Sequence, residues 1–133
     1  MKTLKILLVT FIITLVPFMV KAQEKPKPWP VSDEYKNMKN PVEKNEASLK
    51  AGQSLYIKHC ASCHGKTGLG DGVKSRALKT FSGDLTGPDY QNQTDGEQFY
   101  KTKFGRGEMP KYEGRLSDED IWNIVNYMRT FKK

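Results

Sequence analysis

Both cysteines of this 133-residue chain fall within four positions, and a histidine follows the second: Cys60-Ala61-Ser62-Cys63-His64. No other feature limits the possible folds as strongly. As a disulfide, the pair would close a loop too short to constrain an unfolded chain. As a zinc site it lacks ligands, because the one remaining histidine, His59, adjoins Cys60 and cannot close a tetrahedron with it. As a thioredoxin-like redox pair it would need a strand leading into a helix, and the flanking residues show no strand alternation.

The spacing does match covalent attachment of a haem. Each thiol adds across one vinyl group, and the two vinyls lie along one edge of the porphyrin. Cys60 and Cys63, three apart on a helical turn, present their sulfurs to that edge. His64 then directs its imidazole at the iron. The expected cofactor is therefore one covalently attached haem c with its iron, and the fold has to close around a ring as large as much of its own core.

A second axial ligand decides what such an iron can do. A thioether favours the ferrous state and raises the potential. Beyond Met1 there are four methionines. Met19 lies in an N-terminal apolar run, and Met38 lies in a proline-rich stretch. Met128 falls on the apolar stripe of a helix, where core packing accounts for it. Met109 stands between Gly107 and Pro110 in a segment that cannot be regular helix, and is the candidate ligand; the alternative on the residues alone is a loop residue covering core. His59 is not expected on the iron, since it adjoins the anchoring cysteine and cannot reach the far face.

The N-terminus reads as a leader. Met1–Lys5 carries two lysines, Ile6–Val20 is apolar, and Val20-Lys21-Ala22 offers small residues for cleavage. The run is shorter than the roughly 20 residues of a membrane span and contains Pro17, so residues 1–22 are expected to be a signal peptide. Export to the periplasm follows, or a membrane anchor if the segment is retained. No cysteine follows it to carry a lipid. Losing Lys2, Lys5 and Lys21 lowers the formal charge from +7 to +4. That excess suits steering towards an acidic partner. It is too dispersed for nucleic acid, with no basic run and no aromatic-interleaved basic stretch.

Residues 23–46 are polar and contain Pro26, Pro28, Pro30 and Pro41, which predicts an extended tether or a wrapping arm. Trp29, Val31, Tyr35, Met38 and Val42 are the apolar residues available to pin it. Residues 47–133 carry the domain. A helix is expected from about Ala47 into Cys60, then a glycine loop over 65–72, a short helical turn within 73–78 and an irregular stretch over 82–90. A second helix opens at Thr94 with Glu97 completing a capping box, and ends at Gly105. The last opens at Ser117 with Asp120 as its partner, has Leu116 and Ile121 placed as a hydrophobic staple, and carries the stripe Ile121, Ile124, Val125, Met128. No repeat and no strand periodicity appear.

With these residues in hand, the chain resembles the class I c-type cytochromes, small bacterial monohaem proteins, over about residues 47–131. Cys60-Ala61-Ser62-Cys63-His64 is the specific part. Gly65, the Gly68-Leu69-Gly70-Asp71-Gly72 loop and Met109-Pro110 add weaker support. The resemblance implies an all-α cytochrome c fold, three to four helices around one haem, with Gly52 and Tyr56 on the first long helix meeting the last near Val125, Tyr127 or Met128. It implies thioethers at Cys60 and Cys63, His64 and Met109 as axial ligands, and electron transfer rather than catalysis. Exported or membrane-bound redox proteins would be donor and acceptor, with Lys58, Lys66 and Lys111 near the haem edge. No small-molecule substrate and no nucleic acid are expected, and the chain would act as a monomer or as the electron-carrying subunit of a larger respiratory or dehydrogenase complex. A haem enzyme or gas-binding protein with an open iron is the competing class. One departure stands out: the family holds its haem histidine through a proline carbonyl in the following loop. Here no proline lies between His64 and Pro88, so Val73 or a neighbour is expected to supply the acceptor.

Overall fold

A computed structural model describes residues 22–133. The expected signal segment, Ala22 apart, and Met19 lie outside the described residues. Helices of four residues each at Asp33–Lys36 (α1), Ala61–His64 (α3) and Pro88–Gln91 (α4) accompany three longer ones. These are Glu46–His59 (α2), Asp95–Phe104 (α5) and Asp118–Met128 (α6). Only two isolated bridges occur among the described residues, Glu24 with Thr80 and Arg106 with Met109, and no strand. The expected all-α architecture is what the chain adopts.

Local sequence explains the helix starts. The Thr94 hydroxyl accepts from the Glu97 amide while the Glu97 carboxylate accepts from Thr94 N–H, and Ser117 and Asp120 repeat the arrangement. Each box satisfies two amides that the first helical turn leaves free. For α2 the cap is Asn45, whose side chain accepts from Ser48 N–H at 3.0 Å. That places its start at Glu46, one residue earlier than the apolar pattern suggested. The expected helical turn within 73–78 is a 3-10 turn at Ser75–Ala77. The stretch expected to be irregular contains α4, which Pro88 opens at a position where its missing N–H is no loss.

Helices α2 and α6 cross at Gly52. A Cβ there would run into the carbonyl of Asn123 and come within 2.9 Å of the Tyr127 Cβ. A small residue is therefore required, as anticipated, and it faces Tyr127, one of the expected partners, together with Asn123. One turn on, Tyr56 is wholly buried and its ring lies 5.5 Å from that of Tyr127. Ile121, Ile124 and Val125 of α6 are fully buried, each contributing about 1.5–3 kcal/mol. Phe99 of α5 stacks on Trp122 with ring centroids 4.0 Å apart.

The proline-rich arm lies along this body. Val31 is buried. The α1 backbone is seated on α5, where a Cβ at Gly96 would strike the Tyr35 carbonyl. The Tyr35 ring meets Tyr100 at 4.8 Å and Phe104 at 5.7 Å. Farther along, the Asn126 side chain donates to Val42 O and Ser48 Oγ and accepts from Asn40. This buried amide on α6 fastens the arm to the start of α2.

Candidate functional site

The Cys60–His64 turn follows directly from α2, with Cys60 closing that helix and opening α3. Its backbone is occupied from behind by the glycine loop. Gly70 N–H donates to His64 O at 2.8 Å, Gly72 N–H to Cys63 O at 3.2 Å and Lys74 N–H to Ser62 O at 2.8 Å. So close an approach requires glycine at 72, where a Cβ would meet the carbonyls of Ser62 and Ala61. The Tyr56 hydroxyl donates to Gly65 O at 2.8 Å, tying the residue after His64 to α2.

Both cysteines are free thiols and half-buried. Burial, with a smaller contribution from Cys63, pushes the Cys60 thiol up to about 12. Burial lowers His64 to about 4, so the imidazole is neutral at pH 7 and keeps a lone pair for a metal. Its Nδ1 is buried with no hydrogen-bond partner. No carbonyl of Val73 or its neighbours accepts from it, contrary to the expectation. Two free thiols one turn apart and a half-buried neutral imidazole beside them form a donor set that fits covalent haem.

Met109 sits elsewhere in sequence, in the segment between α5 and α6. Arg106 and Met109 exchange two backbone hydrogen bonds of 3.0 Å, closing a four-residue turn. Two tethers hold this turn and the residues just after it, one to the 79–80 stretch and one to the end of α2 next to Cys60. The Glu108 carboxylate accepts from Lys79 N–H at 2.9 Å and Thr80 N–H at 3.1 Å. The Tyr112 hydroxyl donates to His59 O at 2.7 Å, next to Cys60. Tyr112 is buried, and burial followed by the charges of nearby Cys60 and Cys63 raises its hydroxyl to about 12 despite Arg115. It therefore remains a donor. His59 stands edge-on to the Tyr112 ring at 5.8 Å.

The other described methionines are committed to packing. Met128 is buried and its sulfur takes the Tyr90 hydroxyl at 3.3 Å, while Met38 packs against the core. Sequence reasoning missed Glu108, Tyr112 and Arg106 as anchors of the Met109 turn. Glu108 and Arg106 look like ordinary surface charges in sequence, and only their partners give them a role. Two clefts among the described residues lie away from the cysteine turn and Met109. One, of about 620 Å³, is lined by Asn40, Gln91, Asn126 and Arg129 among others, and the second lies around Asp84 and Pro88.

The family described as cytochrome C oxidase, cbb3-type, subunit III matches residues 47–128. The chain belongs to this c-type cytochrome family. Among relatives of this cytochrome, cytochrome c6 of Picosynechococcus sp. is 35% identical over 89 residues, which cover 62% of this chain and 72% of that protein. Cytochrome c6 of the alga Gracilaria tenuistipitata is 32% identical over 85 residues, or 62% of this chain and 71% of the relative. Of solved structures, the c-type cytochrome KustC0563 superposes with a TM-score of 0.53 at 25% identity, over 62% of this chain and 98% of its own. Cytochrome cL of the bacterium Methylophaga aminisulfidivorans gives 0.51 at 26%, over 68% and 55%. The fold is thus the all-α cytochrome c fold. The cofactor is covalently bound haem c with iron, and the function is haem-based electron transfer. No helix among the described residues is long and apolar enough to cross a membrane.

Proposed function

We propose that Cys60 and Cys63 hold the haem by thioethers, and that His64 and Met109 close both axial positions of its iron, making this cytochrome a carrier with no substrate site at the metal. Bound haem supplies one-electron exchange between ferric and ferrous iron. The chain's part is to fix geometry. The glycine loop takes the carbonyls of the cysteine turn, so that turn keeps its shape in either oxidation state. His64 stays neutral through burial. The Met109 turn is held through Glu108 to the 79–80 stretch and through Tyr112 to His59 beside Cys60, which favours a small change of structure on electron exchange.

The observation that carries the reading is the state of the three described methionines: two are consumed by packing, and Met109 is left in a turn anchored beside the cysteines. A closed iron supports a non-enzymatic role. The apolar segment Ile6–Val20 supports export and residues 1–22 as a leader, with 23–46 as the arm and 47–133 as the haem domain; the cytochrome would be periplasmic, or anchored if the leader stays. Exported or membrane-bound redox proteins would be its partners. Lys58, Lys66 and Lys111 are exposed, where charge acts mainly on encounter rate. The oxidase-subunit description of the family lends support to a second reading, a carrier built into a larger respiratory complex, which stable co-purification with partner subunits would favour.

The test is a visible spectrum of protein matured in a haem-attaching host, with and without carbon monoxide. Expected are one covalent haem, a ferric methionine charge-transfer band and little gas binding, with Met109→Ala losing the band and binding gas readily. A colourless product, or a parent protein that binds the gas as readily as the variant, overturns the proposal.

A further inference from the structure

We infer that the N-terminal arm is a strap that holds the Met109 sulfur in place, with Arg106 and Trp29 as positioning residues. This rests on the proposed ligation by Met109. The arm crosses the Met109 turn between two firm attachments. At one end Val31 is buried and Tyr35 lies among Tyr100 and Phe104. At the other, Glu24 N–H donates to Lys79 O and Phe81 N–H donates to Glu24 O, both at 3.0 Å, while the Gln23 side chain donates to Ser75 O at 2.6 Å and Leu78 O at 2.8 Å.

Between these ends the arm meets the turn. The Arg106 guanidinium donates to Pro28 O at 2.8 Å and to Lys27 O at 2.9 Å. It also lies 4.4 Å from the centroid of the Trp29 ring, within cation–π range. Arg106 is the first residue of the four-residue turn that Met109 closes, and Glu108 between them is held by Lys79 and Thr80. The same stretch, 79–81, therefore receives the arm on its Lys79 carbonyl and Phe81 amide, and the turn on its Lys79 and Thr80 amides. Arm, turn and stretch form a closed circuit of hydrogen bonds in which the Met109 backbone is a member. One side of the turn lacks packing of its own: a Cβ at Gly107 would meet nothing within 4 Å, while Gly105 closes only on Met109 and Pro110 of the same segment. A guanidinium suits the task because its planar fork engages two carbonyls at once, which an ammonium cannot do with the same geometry.

Sulfur displacement from the ferric holoprotein by imidazole reads this directly, alongside the methionine charge-transfer band and the urea midpoint. Arg106→Ala is expected to let imidazole in about three- to tenfold more readily, the range set by two net hydrogen bonds at a partly exposed site. Arg106→Lys should be intermediate, and Trp29→Ala should move the same way by a smaller factor. Lys103→Ala breaks an exposed pair with Asp118 outside the circuit and should leave imidazole entry unchanged. A parent protein with the band but with Arg106→Ala and Trp29→Ala no easier to displace sinks the strap while sparing the ligand assignment. A shifted urea midpoint with unchanged imidazole entry does the same, because it is the mark of a merely structural contact. A parent protein without the band removes the ligand assignment and the strap together.

Discussion

Around His64, the glycines at 68, 70 and 72 stand where an added Cβ would strike side chains or backbone of other segments, whereas around Met109 the glycines at 107 and 114 face open space and Gly105 closes only on Met109 and Pro110 of its own segment. The first segment is shaped by close packing: loop amides against the carbonyls of Ser62, Cys63 and His64, and a buried tyrosine against Gly65 O. The second is shaped by a few directed polar contacts, from Glu108, Tyr112 and Arg106, reaching to other parts of the chain.

The largest expected effect falls on both regions at once. Gly52→Ala drives a methyl into the Asn123 carbonyl at the α2–α6 crossing, and backbone cannot yield as a side chain would. A loss of about 3 kcal/mol should show in urea unfolding of the holoprotein. A variant as stable as the parent would mean that the crossing is looser than described.

Next comes a direct comparison of the two regions. Gly72→Ala meets the carbonyls of Ser62 and Ala61 and should cost about 2 kcal/mol, with a lower yield of attached haem. Gly107→Ala meets no atoms. It carries only the strain of a side chain at φ +58°, about 1 kcal/mol. Equal losses in unfolding experiments would erase the distinction between packed and tethered regions.

The smallest effects separate two hydroxyls. Tyr56→Phe leaves the buried Gly65 carbonyl without its donor and should lower stability by about 1–2 kcal/mol, with imidazole entry at the iron unchanged. Tyr112→Phe frees the half-buried His59 carbonyl, should cost about 1 kcal/mol or less, and should speed imidazole entry because it cuts a tether of the Met109 turn. The reverse pattern in the two assays would reassign the anchors.

Much of the body was legible because its causes are local. Thr94 with Glu97, and Ser117 with Asp120, are capping boxes in sequence and in space. The stripe Ile121, Ile124, Val125 and Met128 names the buried face of α6. The cap at Asn45 was missed because a side-chain cap leaves no mark in the apolar pattern. The histidine's expected acceptor, Val73 or a neighbour, was inferred from the family's loop, and no carbonyl pairs with His64 Nδ1.

What the residues determined unaided is the chemistry: two thiols and an imidazole one helical turn apart specify covalent haem whatever surrounds them, since the constraint is set by neighbouring positions. What only the tertiary structure decided is how the arm and the Met109 turn are held. Arg106 lies 78 residues from Pro28, and Tyr112 lies 53 from His59. Contacts at such separations depend on how α2, α5 and α6 pack, and neither spacing nor composition carries that information.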